Sequence, residues 1–171
     1  MSLEQEVELI RQFPIFSKLQ PAMQKLLCFG SERLTYAAGQ VMFTVGDKAD
    51  AAFVVIDGRL EVTLPSDNGP ILVNTLGRND IVGEIAIVGD VPRTATVTAV
   101  TRVEVLRISK DLFINVIRQN PDAALELIRI LATRLAHTTE QLRLCSTNLA
   151  AAKAGQARSA EAPGAEGTGG A

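Results

Sequence analysis

The chain has 171 residues, enough for one well-buried domain with some chain left over. Apolar residues make up 47% of the chain and charged residues 21%, a globular balance that excludes wholesale disorder. Its 17 basic and 19 acidic residues give a net charge of −2. Proteins that hold nucleic acid through many phosphates carry a basic excess, so the charge argues against a DNA partner.

The composition also limits the compartment and the chemistry. The longest apolar run, residues 51–56, is far shorter than the roughly 20 residues that span a bilayer. The amino terminus is acidic where a signal peptide is basic, so we expect a cytoplasmic protein without a membrane span. Cys28 and Cys145 form no disulfide or ligand pattern, which fits a reducing compartment. The single histidine, His137, and the lack of a nucleophile–base pairing predict no enzyme and no metal site.

The amino-terminal residues 1–33 are predicted to form a helical segment. Apolar residues with helical spacing predict a helix over Leu3–Gln12, which Pro14 ends. A second short helix is predicted after Pro21.

Residues 34–108 change to short β-rich runs separated by turn signals such as Asp57-Gly58. The predicted strands cover residues 41–44, 52–56, 60–64, 71–76, 95–99 and 101–108. Their spacing of about ten residues predicts an antiparallel sandwich or barrel, which hides most of its strand edges.

Helical spacing returns in residues 109–149. A cap at Ser109 predicts a helix over residues 112–119, and Pro121 opens a longer helix over residues 122–149. Apolar residues follow steps of three and four along that helix, with Thr138 in the gap: Ile128, Leu131, Leu135, Leu142, Cys145 and Leu149. This seam predicts a homodimer through the helix. The alternative, a helix packed on its own barrel, needs only the first half of the seam. Residues 150–171 are rich in alanine and glycine and are expected to form a disordered tail.

Residues 81–97 carry the residue types of an anion cradle. Gly83 allows close backbone approach, and a helix opening at Glu84 presents the N–H groups of Ile85 and Ala86. Arg93 can fork two donors onto two phosphate oxygens, and Thr94 adds a hydroxyl and a backbone N–H. Taken singly, a barrel arginine is usually a solvated rim residue and a Gly-Glu pair is usually a turn.

Glu84 narrows the choice of anion. A carboxylate there would repel a highly charged phosphate, but it can accept a hydrogen bond from a ribose 2′-hydroxyl. A singly charged phosphate beside a ribose hydroxyl describes a cyclic nucleotide.

The window resembles the phosphate-binding cassette of the cyclic nucleotide-binding domain family. The family pattern, Phe-Gly-Glu-Leu-Ala-Leu and then Pro-Arg-Ala/Thr-Ala-Thr-Val, is matched here by residues 82–87 and 92–97. The resemblance extends over residues 13–141 and implies an α+β, mainly β, jelly-roll barrel with helices at both ends. It implies ligand-binding roles for Gly83, Glu84 and Arg93, and backbone or hydroxyl contacts from three more: Ala86, Thr94 and Ala95. Val82 departs from the usual Phe, which alters the pocket wall.

The last helix extends the resemblance. Its residues 134–140, which begin with Arg134, resemble the dimer helix of the family's bacterial catabolite activators. There a Thr-Ser pair meets the adenine amino group from two subunits, and Thr138 and Thr139 match that pair. Val73 and Asn74 match the strand that faces the base. A polar seam position without a ligand is the other interpretation of Thr138.

These features predict a stand-alone cyclic nucleotide receiver that changes conformation to control an unknown downstream protein. The ligand is predicted to be cAMP. The alternative is cGMP, because a Thr at position 94 contacts guanine in some relatives. Two other functions stay open: a transcription regulator of the same family and a nucleotide-independent dimeric scaffold. The regulators continue into a helix-turn-helix domain, and a folded domain needs at least about 50 residues, more than the tail offers.

Overall fold

The computed structural model describes the backbone of residues 3–160 and the side chains of residues 4–148. Two helices open the chain, α1 (Leu3–Gln12) and α2 (Pro21–Gly30), joined through one 3-10 turn at Pro14–Phe16. Two helices close it, α4 (Lys110–Gln119) and α5 (Pro121–Ala160), and a short helix, α3 (Glu84–Val88), lies between strands. The strands are β1 (Ser31–Tyr36), β2 (Val41–Phe43), β3 (Ala51–Asp57), β4 (Leu60–Leu64), β5 (Ile71–Leu76), β6 (Ile81–Val82), β7 (Thr96–Ala99) and β8 (Val103–Ser109).

The strands form two antiparallel sheets in the jelly-roll arrangement. One sheet has the order β1-β8-β3-β6 and the other the order β2-β7-β4-β5. All six predicted strands are present, with ends within two residues of the predicted ones. The prediction of a mainly β fold flanked by helices is therefore confirmed.

Side chains from both sheets share one apolar core. Its fully buried members include Val55 on β3, Leu60 on β4 and Val103 on β8. Gly58, in the hairpin between β3 and β4, has a φ of +93°, and a Cβ there would collide with the Arg102 carbonyl. Only glycine therefore closes this hairpin without strain.

Two strands were missed in the sequence, and the β region begins at Ser31 rather than at the expected residue 34. β1 begins at Ser31 and pairs along its whole length with β8, from Ser31 opposite Ile108 to Tyr36 opposite Val103. Its sequence holds few apolar residues, so pairing with a buried neighbour stabilises it rather than its own propensity. β6 has two residues, too few for a periodic signal, and pairs with Phe53 and Val54 of β3.

The expected end of the last helix near residue 149 was also wrong. Helix α5 continues to Ala160, so the first eleven residues of the expected disordered tail are helical. Alanine has the highest helix propensity, which accounts for the extension through an alanine-rich stretch. The rest of the expected tail, residues 161–171, lies outside the described residues.

The chain divides into two compact units, with the boundary between Arg129 and Ile130 in helix α5. Both sheets and helices α1 to α4 belong to the first unit. Along the described part of the chain, no helix combines the length and apolar character needed to cross a bilayer.

Candidate functional site

The cassette begins with a backbone conformation that favours glycine. Gly83 has a φ of +81° and forms the amino-terminal cap of α3, without a side-chain capping bond. Its left-handed conformation turns the chain from β6 into the helix, so that Glu84 opens α3. The helix ends at Val88, and Gly89 caps it by donating its N–H to the Ile85 carbonyl at 2.8 Å.

Arg93 folds back onto the start of this helix and is 3% exposed. Its Nη1 donates to the Gly83 carbonyl at 3.1 Å, and its Nη2 donates to the Ala51 carbonyl at 2.8 Å. A Cβ on Gly83 would lie 2.5 Å from Nη1. Gly83 is therefore required both for its conformation and for the close approach of the guanidinium.

Two aromatic rings support the guanidinium. Arg93 Cζ lies 4.1 Å from the centre of the Phe43 ring and 5.7 Å from that of Phe53. The rings are stacked on each other, with centres 5.9 Å apart. A cation over an aromatic face is attracted by the ring quadrupole, so the two rings hold the guanidinium in one position. A cleft of about 260 Å³ opens between these groups and the β2–β3 turn.

Acidic groups surround the buried cation. Glu84 is 1% exposed, and Asp50 Oδ1 lies 3.6 Å from Arg93 Nη2. Burial lowers the pKa of the Arg93 guanidinium, and the charges of Asp50, Asp47 and Glu84 oppose that effect. Among the described residues, Arg93 Nε has no hydrogen-bond partner, although it is buried. The guanidinium thus keeps donor capacity for an added anion.

A charged network extends outward from Asp50. Arg107 on β8 donates from Nη2 to Asp50 Oδ2 at 2.7 Å and from Nη1 to Glu32 Oε2 at 3.2 Å. Burial raises the pKa of the Tyr36 phenol on β1; Arg107 lowers that pKa, Asp50 raises it, and Arg93 lowers it. Tyr36 therefore lies within the field of this network.

Sequence reasoning missed the groups that hold Arg93. The carbonyl of Ala51 is 42 residues away along the chain, and Asp50, Phe43 and Phe53 belong to the same distant stretch. One weak indication of these groups was visible in the sequence: Asp50 is an acidic residue directly before the buried strand β3. An isolated acidic turn residue is too common to be read as a site.

Asn74, on the predicted base-facing strand, is half-buried, and its Oδ1 accepts from the Thr75 N–H at 2.9 Å. Asn74 on β5 is opposite Val62 on β4, Val62 is opposite Val97 on β7, and Val97 is opposite Phe43. Directly opposed residues in an antiparallel ladder point to the same face. Phe43, Val62 and Val97 pack in the core, so Asn74 shares the inner face with them. Since strands lie about 4.8 Å apart, this row reaches roughly 14 Å from the aromatic support of Arg93 to Asn74.

The remaining cassette residues take different positions. Val82 and Ala86 are buried, and Ala95 is half-buried. Ile85 and Thr94 are exposed. Val73 is half-buried beside Asn74, where the ladder register shifts by one residue. The cassette is joined to α4 by an ion pair between Asp90 and Lys110.

Arg134, Thr138 and Thr139 lie on α5 in the second unit. Thr138 Oγ1 donates to the Arg134 carbonyl at 2.9 Å, and Thr139 Oγ1 donates to the Leu135 carbonyl at 2.8 Å. Both hydroxyl oxygens therefore keep lone pairs that can accept a hydrogen bond. Their contact with a nucleotide stays a prediction.

Most described residues of the predicted dimer seam are solvent-exposed. Ile128, Leu135 and Leu142 are 60%, 69% and 64% exposed. Leu131 is half-buried and Cys145 is exposed, whereas the side chain of Leu149 lies outside the described residues. Within the described residues, no three His, Cys, Asp or Glu side chains are placed to hold a metal ion.

A jelly roll with an arginine and a glutamate buried in a glycine-started cassette defines a class of ligand-binding regulatory domains. The family profile described as the cyclic nucleotide-binding domain matches residues 33–120, just over half of the chain. The chain belongs to the cyclic nucleotide-binding domain family, which confirms the resemblance found in the sequence.

Three similar proteins show how widely this domain is used. A CRP-like cAMP-activated global transcriptional regulator of Mycobacterium tuberculosis is 26% identical over 136 residues, covering 79% of this chain and 61% of the relative. A lysophospholipase NTE1 of Phaeosphaeria nodorum is 27% identical over 118 residues, covering 68% of this chain and 8% of the relative. The Thermus thermophilus catabolite activator protein matches with a TM-score of 0.66 and 28% identity, over 78% of this chain and 63% of that chain. The chain thus spans less than two thirds of the length of each of these three proteins. The fold itself is that of a regulatory domain.

Proposed function

We propose that this chain is a cyclic nucleotide receiver whose ligand is cAMP. The observation that carries the proposal is the burial of Glu84 and Arg93 at the start of one cassette, in a chain of this family. Arg93 offers a positive charge already held in one position, and Glu84 offers a carboxylate for a ribose hydroxyl. A monoanionic cyclic phosphate satisfies both groups, because it brings one negative charge and an adjacent 2′-hydroxyl.

Two groups of observations support adenine as the base of the ligand. Thr138 and Thr139 carry hydroxyl oxygens that can accept from an adenine amino group, and Asn74 faces inward on β5. A relative that is 26% identical bears a name that describes it as cAMP-activated. Thr94 keeps cGMP as the alternative ligand, because a hydroxyl there can meet a guanine.

The receiver is proposed to act as a homodimer through α5 and to control a downstream protein. Ligand binding would close the cassette and shift the carboxy-terminal helices between two populated positions. The Asp90–Lys110 pair supports this coupling, because it connects the end of the cassette to the first residue of α4. Free Cys28 and Cys145 fit the reducing cytoplasm that we propose as its location.

Isothermal titration with cAMP, cGMP and 5′-AMP tests the proposal. We expect saturable binding of cAMP, weaker binding of cGMP, and much weaker binding of 5′-AMP, which carries an additional negative charge near Glu84. Arg93→Ala should lose binding, whereas Arg102→Ala, an exposed turn arginine, should bind like the wild type. Equal affinity for 5′-AMP and cAMP would contradict the proposed role of Glu84.

A transcription regulator is the second candidate, favoured by the mycobacterial relative. The net charge of −2 opposes it, because DNA binders neutralise phosphates with a basic excess. We expect no discrete, saturable complex in a gel shift on genomic fragments at physiological salt, with or without cAMP. Such a complex would establish the regulator instead. A dimer that binds no nucleotide in the titration would establish the scaffold.

A further inference from the structure

The network around Asp50 shares one carboxylate between two arginines, unequally. Asp50 Oδ2 lies 2.7 Å from Arg107 Nη2, whereas Asp50 Oδ1 lies 3.6 Å from Arg93 Nη2. Charge-assisted hydrogen bonds between arginine and a carboxylate measure about 2.7–2.9 Å, so only the bond to Arg107 is of this kind. Asp50 is therefore hydrogen-bonded to Arg107, and its ion pair with Arg93 is longer.

The sheet fixes Arg107 in this position. It lies directly opposite Glu32 on β1 and opposite Phe53 on β3, and its second bond to Glu32 holds the guanidinium from the other side. The main chain of Asp50 is fixed as well, because its carbonyl accepts from the Lys110 N–H at 2.8 Å. The side chain of Asp50 is therefore the part that can rotate between Arg107 and Arg93.

We propose that Arg107 is a positioning residue that withholds Asp50 from Arg93 and so keeps the Arg93 guanidinium available for the cyclic phosphate. The inference rests on the proposed function, since it names what tunes the same anion site. An anion that binds Arg93 competes with any carboxylate already paired to it. Without Arg107, the Asp50 side chain turns to Arg93, shortens the present ion pair of 3.6 Å to a direct charge-assisted hydrogen bond, and neutralises more of the charge that the phosphate needs.

A double-mutant cycle with cAMP titrations tests this competition. We expect Arg107→Met to weaken cAMP binding about tenfold, which corresponds to about 1.4 kcal/mol. In a background that already carries Asp50→Asn, adding Arg107→Met should change the affinity less than twofold, because no carboxylate remains to compete. Arg107→Lys should retain most of the affinity, since an ammonium also attracts Asp50.

The matched control is Arg33→Met, which removes a cation paired to Glu104 on the same sheet and should leave cAMP affinity unchanged. Each variant is also melted thermally, and the affinity changes should not follow the melting temperatures. A structural role alone would not be rescued by Asp50→Asn. An Arg107→Met variant with unchanged affinity, or one that weakens binding equally in both backgrounds, overturns the inference.

Ligand-free crystal structures of the wild type and Arg107→Met separate this inference from the proposed function. We expect the Arg93 Nη2–Asp50 Oδ1 separation to contract from 3.6 Å to a direct hydrogen bond in the variant. An unchanged separation overturns the inference even if the wild type binds cAMP. A wild type that binds no cyclic nucleotide refutes the proposed function, whatever the two structures show.

Discussion

Arg93 is a buried cation that backbone and aromatic groups hold in place. Two backbone carbonyls and two aromatic rings hold it, and Asp50 Oδ1 lies 3.6 Å from its Nη2. Placing a charge in a dry site is costly unless it is paired. The ion pair with Asp50 is longer than a charge-assisted hydrogen bond, and Arg93 Nε has no hydrogen-bond partner among the described residues, so a bound anion offsets part of this cost and favours binding at this residue.

Arg93→Ala should abolish measurable cAMP binding in a calorimetric titration. Removing one partner of a buried, hydrogen-bonded charge pair typically costs about 2–5 kcal/mol, a loss of roughly thirtyfold to several thousandfold in affinity. The variant also leaves the Gly83 and Ala51 carbonyls without their donor, so its melting temperature should fall, yet a single cooperative transition should remain. Unchanged affinity in a folded variant would exclude Arg93 from the site.

Comparing Gly83→Ala with Gly39→Ala separates the stability cost of a positive φ from the loss of ligand binding. Gly83 and Gly39 have nearly equal φ values of +81° and +82°, but a Cβ on Gly39 meets no atom within 4 Å. Both alanine variants should lose about 1–2 kcal/mol of unfolding free energy in urea titrations, because alanine is strained in the left-handed region. Only Gly83→Ala should also lose cAMP affinity, since its Cβ displaces Arg93. Equal affinity in the two variants would show that the close approach has no role.

At the scale of the element, the two helix hydroxyls provide a test of base selectivity. Thr138→Ala combined with Thr139→Ala should weaken cAMP binding about thirtyfold and reduce the ratio of the cAMP affinity to the cGMP affinity, because each of the two neutral hydrogen bonds contributes about 1 kcal/mol. Thr147→Ala is the matched control, with the same hydroxyl bond to its own helix, to the Arg143 carbonyl at 2.9 Å. Parallel titrations with both nucleotides measure this ratio. An unchanged ratio of the two affinities would exclude these hydroxyls from base selection.

Elements with a strong local signal could be predicted from the sequence, and those that depend on a neighbour could not. Gly83, Glu84 and Arg93 lie within one short window, so their pattern was visible. β1 was missed because its pairing with β8 joins residues more than sixty positions apart. The contacts of Ala51 and Asp50 with Arg93 also join residues that are more than forty positions apart in the sequence. The predicted end of helix α5 was too early because a stretch rich in alanine and glycine is typical of a linker, although alanine also favours helix.

For the whole molecule, the exposed seam of α5 predicts the assembly state. Leu142→Asp should convert dimers to monomers in multi-angle light scattering, because it places a charge in an apolar contact. Leu144→Asp is the matched control: Leu144 is 49% exposed on the same helix but lies off the seam. It should leave the dimer intact. A wild type that is monomeric with and without cAMP would contradict the proposed dimer.

Tyr36 gives the molecule a built-in optical signal. The chain contains one tyrosine and no tryptophan, so the fluorescence excited at wavelengths beyond the phenylalanine absorption band comes from this single phenol. Burial raises the pKa of this phenol, and the charges of Arg107, Asp50 and Arg93 also act on that pKa. Neutralising Arg93 with an anion changes the field of these charges, so the emission should respond when the site fills. Stopped-flow mixing could then time the arrival and departure of a nucleotide on the unlabelled, unmutated protein.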